Sequence, residues 1–278
     1  MGKKWWPEAI HKNYYEEDYR EQHSTQSDGT HTTPHDHFDI SKEMNAKQYQ
    51  FIKPYLTSKT KFLEIGSSFG GLLTRTVKKV KECHAVEPNL EDVKYVREKH
   101  PTIKMICSKL EDAVLENNYY DVVASIEVLE HMVSVKSFLE TCCRVLKPGG
   151  NLILEVPNHN DVLRSCYNAP AYKSFYYHKS HIHYFTQKSL VDICRNYGFE
   201  GEVSSFQVYP FFNHVNWCTQ NAPQMSGELA MKTPLPTDGS TEIKRHINES
   251  YKKVEEDYDS LINEVILGGE LIFRGVKV

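Results

Sequence analysis

From residue 61 the chain alternates short apolar runs with amphipathic stretches. KFLEI (61–65) predicts a buried strand, GLLTRTVKKV (71–80) a helix, and CHAVEP (83–88) a second strand. Asn89 is placed to cap the helix LEDVKYVREKH, which ends at Pro101. IKMI (103–106) and YDVVASI (120–126) are the next strands. Ser134 would cap VKSFLETCCRVL, which stops at Lys147-Pro148-Gly149-Gly150, and NLILEVP (151–157) follows as a fifth strand. Strands apolar on both faces and separated by helices predict a parallel sheet covered on both sides.

The ends of the chain are patterned differently. Residues 42–56 suggest a helix whose last turn Pro54 distorts. Residues 158–185 are aromatic and His-rich. Thr186 would cap QKSLVDICRNY, which Gly198 closes, and EVSSFQVYP (202–210) predicts a sixth strand. Residues 210–240 look irregular. Residues 241–265 suggest a charged helix with Ile243, Ile247, Tyr251, Val254, Tyr258 and Ile262 on one stripe, expected to pack on the protein's own core. ELIFRGVKV adds a last strand. The expectation is an α/β, Rossmann-like, seven-stranded and mostly parallel sheet with helices on both faces. Its parts are an N-terminal aromatic and His-rich lid and helix (1–57), a nucleoside-binding core (58–209), an insertion for acceptor specificity or dimerisation (210–266), and the final strand (267–278).

Composition narrows the function. The chain has 278 residues and a formal net charge of −4, with no Lys/Arg block, which argues against a nucleic-acid partner. Seven scattered cysteines without a C-x-x-C motif argue for a reducing, cytoplasmic setting. MGKKWWPEAIHK is followed by no apolar run, so neither a signal peptide nor a membrane association is expected. A small-molecule acceptor and a possible homodimer are the partners expected.

The candidate ligand site is FLEIGSSFGG (62–71), a strand running through a small-residue turn into a helix. Gly66 and Gly70 let the backbone approach a ligand. Glu64 would repel a pyrophosphate but attract an ammonium and a sulfonium. Ser68 also breaks the G-x-G-x-x-G dinucleotide pattern. Glu87, about 20 residues on, sits where an acidic residue commonly binds ribose hydroxyls.

EIGSSFG, AVEPN, YDVVASIEVLEHM and LKPGGNLILEVPN, in that order, resemble the successive motifs of class I S-adenosylmethionine-dependent methyltransferases. EVLEH, then a helix, then LKPGG is similar to ubiquinone-pathway O-methyltransferases and sugar-modifying methyltransferases. HIHYFTQKSL with NYGFE resembles the later region of that group. The likeness covers about residues 60–210 and the last strand. It implies S-adenosyl-L-methionine as cofactor, with Glu64, Gly66, Ser67 and Gly70 at its methionine end. It further implies Glu87 on the ribose, Pro88 or Asn89 beside the adenine, and Leu110 and Glu111 at the adenine edge. Ser125 and Glu127 would pass the sulfonium and face the acceptor. Ser68 stands where the family usually has Gly.

Methyl transfer to a hydroxyl also needs a base. His131, after the fourth strand, is the first candidate, with Glu130 to orient it and Glu127 as the alternative. Asn158, His178, His181, His183 and Tyr184 are candidates for binding the acceptor. Tyr172, Phe175, Tyr176 and Tyr177 supply faces for stacking. In H-x-x-x-H-x-H-x-D (His31, His35, His37, Asp39), His35 or His37 is expected to lie over the acceptor in a lid, and no metal is expected. The favoured acceptor is the hydroxyl of a sugar or sugar-linked group. N-methylation of an amino sugar, a NAD-dependent oxidoreductase and a non-catalytic cofactor-binding partner remain as alternatives.

Overall fold

The computed structural model describes residues 35, 38, 41–177, 180–224, 230, 231 and 233–278. Seven strands form one sheet: β1 (Lys61–Ile65), β2 (Glu82–Glu87), β3 (Lys104–Cys107), β4 (Tyr120–Ile126), β5 (Leu146–Pro157), β6 (Phe199–Phe206) and β7 (Glu270–Lys277). Their order is β3-β2-β1-β4-β5-β7-β6. β1 to β5 run parallel, and β7 is antiparallel to both β5 and β6. The order reverses between β1 and β4, which is where open α/β sheets leave a crevice at the strand tips.

Among the described residues, the helices include α1 (Lys42–Ile52), α2 (Leu73–Thr76), α3 (Leu90–Lys99), α4 (Val135–Val145), α5 (Val162–Ser165), α6 (Pro170–Phe175), α7 (Gln187–Asn196), α8 (Phe211–Gln220) and α9 (Glu242–Glu264). The two-residue period of the strands divides the core. Leu63, Val123, Leu154 and Phe273 pack with Phe138 of α4 and Leu190 of α7. Phe62, Val122, Ile153 and Ile272 pack with Ile52 of α1 and Val93 of α3. Glu64 lies two residues from Phe62, Glu155 two from Ile153 and Glu270 two from Ile272, so all three point to the α1 face.

The caps expected at Asn89, Ser134 and Thr186 form. Asn89 accepts from the N–H groups of Glu91 and Asp92, and Thr186 builds a capping box with Ser189. Pro54 sits in a tight 3₁₀ turn that follows α1. All seven cysteines are free. No described helix is long and apolar enough to cross a membrane.

Four local expectations need correction. GLLTRTVKKV is α-helical only over α2. The Lys147-Pro148-Gly149-Gly150 stretch belongs to β5 instead of separating it from α4. β6 starts at Phe199, earlier than expected, because it borders only β7 and its early outward positions Glu200 and Glu202 carry no apolar signal. Within 210–240, α8 buries Asn213 and His214 beside Trp217, and these polar residues hide its period. The α9 stripe also departs from its expected packing. Ile243, Ile247, Tyr251 and Val254 are exposed, and only Ile262 at the far end is fully buried.

Phe273 is fully buried between β5 and β6. Phe273→Ala is expected to lower stability by ~3–5 kcal/mol in urea unfolding. The stripe variant Val254→Ala, on an exposed surface, should stay within about 0.5 kcal/mol.

Candidate functional site

A cavity of about 710 Å³ opens at the β1/β4 reversal. Its walls are the turn after β1, the tip of β2, the turn after β3 and the segment after β4, and α1 roofs it with Met44, Asn45 and Gln48. Gly66 makes the turn possible. Its φ is +74°, and a Cβ there would stand 2.4 Å from Val128 Cγ2. Phe38 packs edge-on against Phe69 of the same turn, at 6.4 Å between ring centres.

Glu87 holds this turn in place. Its carboxylate accepts from the Ser68 N–H at 2.7 Å and from the Asn89 N–H at 2.8 Å. Ser68 adopts φ +49° and lines the cavity, so the residue that breaks the glycine pattern is part of the site. A serine is accommodated there because its N–H is tied to Glu87.

Glu64 is 3% exposed and lines the cavity, and its Oε2 has no hydrogen-bond partner. Burial first, and then the charge of Glu87, raise its pKa well above the ordinary carboxylate value. Ser67 Oγ and Asn45 Nδ2 in the same wall are also buried without partners. Buried polar atoms are rarely left unpaired in a folded protein. A carboxylate, a hydroxyl and an amide gathered on a glycine turn match the ammonium and carboxylate of an amino acid. Pro88, Asn89, Leu110 and Glu111 line the other end of the cavity.

Two residues expected at the cofactor do not line the cavity. Ser125 shares its face with Val123, away from Glu64, and its hydroxyl donates to the Ile65 carbonyl at 3.1 Å. Gly70, at φ +79°, lets the turn close on α3, since a Cβ would stand 2.8 Å from Val96 Cγ2.

His131 and Glu127 both line the cavity. His131 Nδ1 donates to the Ser180 carbonyl at 3.0 Å, and its Nε2 lies 3.3 Å from Glu130 Oε1. Burial opposes the imidazolium, but Glu130 and the Ser180 carbonyl outweigh it and the pKa is raised. His181 sits edge-on to His131 at 4.7 Å. Ligand atoms of Glu130, His131 and His181 lie within 4.8 Å of one another, a spacing able to hold a metal ion. Glu127 has φ +53°, and its N–H donates to the Glu155 carbonyl at 3.0 Å. Its side chain shares a hydrogen bond with Glu270, and burial and neighbouring carboxylates raise both pKa values.

The acceptor candidates separate. Tyr184 packs with Tyr176, Tyr177 and His181. Asn158 is fully buried. Its Nδ2 donates to the Ile266 and Gly268 carbonyls, and its Oδ1 makes an Asx-turn with the Asn160 N–H, so it braces the chain entering β7 instead of binding an acceptor. His183 Nε2 contacts the Met132 carbonyl at 3.0 Å and does not line the cavity. His35 is exposed. His31, His37, Asp39 and His178 lie outside the described residues.

Sequence reasoning missed Asn45, Gln48, Glu155 and Glu270. A lone Glu inside NLILEVP, and another opening ELIF, were the available signals. Glu155 is 1% exposed and accepts from Gln48 Nε2 at 2.8 Å.

Residues 35–203 match a family model described as a methyltransferase domain. The human mitochondrial ubiquinone biosynthesis O-methyltransferase is 33% identical over 108 residues, covering 35% of this chain and 29% of that protein. Among solved structures, a possible histamine N-methyltransferase from Thermotoga maritima is similar at TM-score 0.55 and 18% identity, covering 87% of this chain and 92% of its own. A methyltransferase from Archaeoglobus fulgidus is similar at TM-score 0.53 and 19% identity, covering 85% and 95%. At such identities the likeness to the two structures is one of fold. The matched stretches span less than half of the curated relatives.

Burial pushes the Glu155 carboxyl up to about 7, against the pull of its Gln48 hydrogen bond and with Glu130 adding to it. Below the ordinary carboxylate range both folded and unfolded chains are protonated and nothing is lost. As pH rises towards 7 the unfolded chain ionises first, so folding stability falls. Glu155→Gln is therefore expected to raise the melting temperature more at pH 8 than at pH 5, as measured by calorimetry.

Proposed function

The chain belongs to the methyltransferase-domain family and has the class I S-adenosylmethionine-dependent architecture; from that premise we propose that it methylates a hydroxyl of a small-molecule acceptor, of sugar or sugar-linked type. The observation that carries the reading is the unpartnered Glu64 carboxylate in a glycine-lined cavity at the sheet's reversal point. Glu64, Ser67 and Asn45 would hold the amino-acid end of the cofactor, Glu87 the ribose, and Leu110 and Glu111 the adenine edge. When bound, S-adenosylmethionine supplies a methyl group activated by a sulfonium and open to in-line displacement.

The chain's own task is to align the acceptor, exclude water and remove a proton. Glu127 suits the proton transfer. It lines the cavity and shares a hydrogen bond with Glu270, along which a proton taken from the acceptor can be passed on. His131 is less suited than the sequence suggested. Its Nδ1 is committed to the Ser180 carbonyl and its Nε2 is turned to Glu130, so both ring nitrogens are already engaged away from a substrate hydroxyl. Its place is to tie the 180–183 segment to the Glu130 turn. The rings of Tyr176, Tyr177 and Tyr184 favour a sugar or ring face.

Calorimetry with adenosylhomocysteine should give a micromolar Kd, roughly −8 kcal/mol, and Glu64→Gln should weaken it by about tenfold or more. Saturable NAD binding without adenosylhomocysteine binding would overturn the assignment. Glu127→Gln is expected to lower turnover by ~10²–10⁴ with adenosylhomocysteine affinity unchanged. A comparable fall in His131→Asn alone would return the base role to the histidine.

A further inference from the structure

Three carboxylates at the strand ends, Glu127, Glu155 and Glu270, form a group that cofactor binding does not account for. Glu155 and Glu270 lie diagonally across the β5/β7 ladder, where Glu155 pairs with Ile272 and Pro157 with Glu270. Glu127 joins them through its backbone bond to Glu155 and its side-chain bond to Glu270. Each keeps a buried oxygen without a hydrogen-bond partner: Glu127 Oε1, Glu155 Oε2 and Glu270 Oε2. The charges acting most strongly on all three are other carboxylates. Neighbouring Asp161 is different: it caps α5 and accepts from the Tyr172 hydroxyl at 2.8 Å, so its charge is matched within the scaffold.

A second observation points to a ligand. Tyr176 is 8% exposed and its hydroxyl has no hydrogen-bond partner, and after burial the groups that most raise its pKa are Asp161 and Glu270. The buried Tyr176 hydroxyl thus lies close enough to Asp161 and Glu270 to feel their charge, and Glu127 of the same group lines the cavity. The spacing disfavours a metal ion: among the described residues, the group of three whose ligand atoms come within 4.8 Å is Glu130, His131 and His181, not these carboxylates. A protonated amine is larger, donates in several directions and is stabilised by both carboxylates and aromatic rings.

We propose that Glu155, Glu270 and the Tyr176 hydroxyl form a recess for an ammonium group on the acceptor, which rests on the methyltransferase reading above. The acceptor is then an amine-bearing small molecule anchored through its cation, with its reacting hydroxyl turned to Glu127. The anchor selects for charge, whereas Glu127 acts on the reacting atom.

The test uses the full chain saturated with adenosylhomocysteine, titrated with n-propylammonium chloride or with 1-propanol and followed by NMR shifts. The amine is expected to bind at least about tenfold tighter than the alcohol. Glu270→Gln, with Glu155→Gln as the second variant should the first fail to fold, is expected to bring the two probes to similar affinity while adenosylhomocysteine binding holds. Equal affinities in the unmodified protein, or a preference that survives both substitutions, would overturn the proposal and leave the methyltransferase reading standing. Loss of adenosylhomocysteine binding in the unmodified protein would instead remove the reading on which it rests.

Discussion

A carboxylate buried at the tip of β1 with one oxygen unpaired sets the terms for the rest of the site. An isolated buried charge is costly, and a carboxyl in that position keeps its proton unless a cation arrives. Among the described residues no cation pairs with Glu64, and the nearby charge of Glu87 pushes it further towards the neutral form. Glu87, in turn, is committed to two backbone N–H groups of the turn that shapes the cavity. The pocket is thus held rigid by one acid and left electrostatically incomplete by the other. A ligand with an ammonium and a sulfonium completes it, whereas a pyrophosphate would not.

The sheet explains why these groups converge. Strand periodicity turns Glu64, Glu155 and Glu270 to the α1 face, and the reversal between β1 and β4 opens the crevice beside them. The opposite face, under α4 and α7, is occupied by Leu, Val and Phe side chains. One face therefore carries much of the packing, and the strand-tip edge of the other carries the chemistry. The Glu130–His131 pair links the two regions, because the Ile182 and His183 N–H groups donate to the Glu130 carbonyl and dock the aromatic segment beside the cavity.

Much of this was legible in the sequence. The strand and turn of FLEIGSSFGG, the caps at Asn89, Ser134 and Thr186, and the two acids at the strand tips rest on local rules that the fold does not override. What stayed hidden depends on which face a residue takes and on partners distant in the chain. Ser125 sat at the right strand tip but on the wrong face. Asn158 had a polar side chain in a plausible place, yet the Ile266 and Gly268 carbonyls, more than 100 residues away, claim it. α8 escaped notice because its buried side includes Asn213 and His214. Gln48 and Asn45 became site residues only because α1 folds back over the cavity, a long-range contact that no local pattern announces.

The central claim is that burial holds the Glu64 carboxyl well above the ordinary carboxylate range and that an arriving ammonium draws it towards its charged form. Adenosylhomocysteine binding at pH 6, followed by calorimetry in buffers of different ionisation enthalpy, tests it directly. The account predicts net proton release on binding, abolished in Glu64→Gln. A binding enthalpy that does not vary with buffer would contradict it.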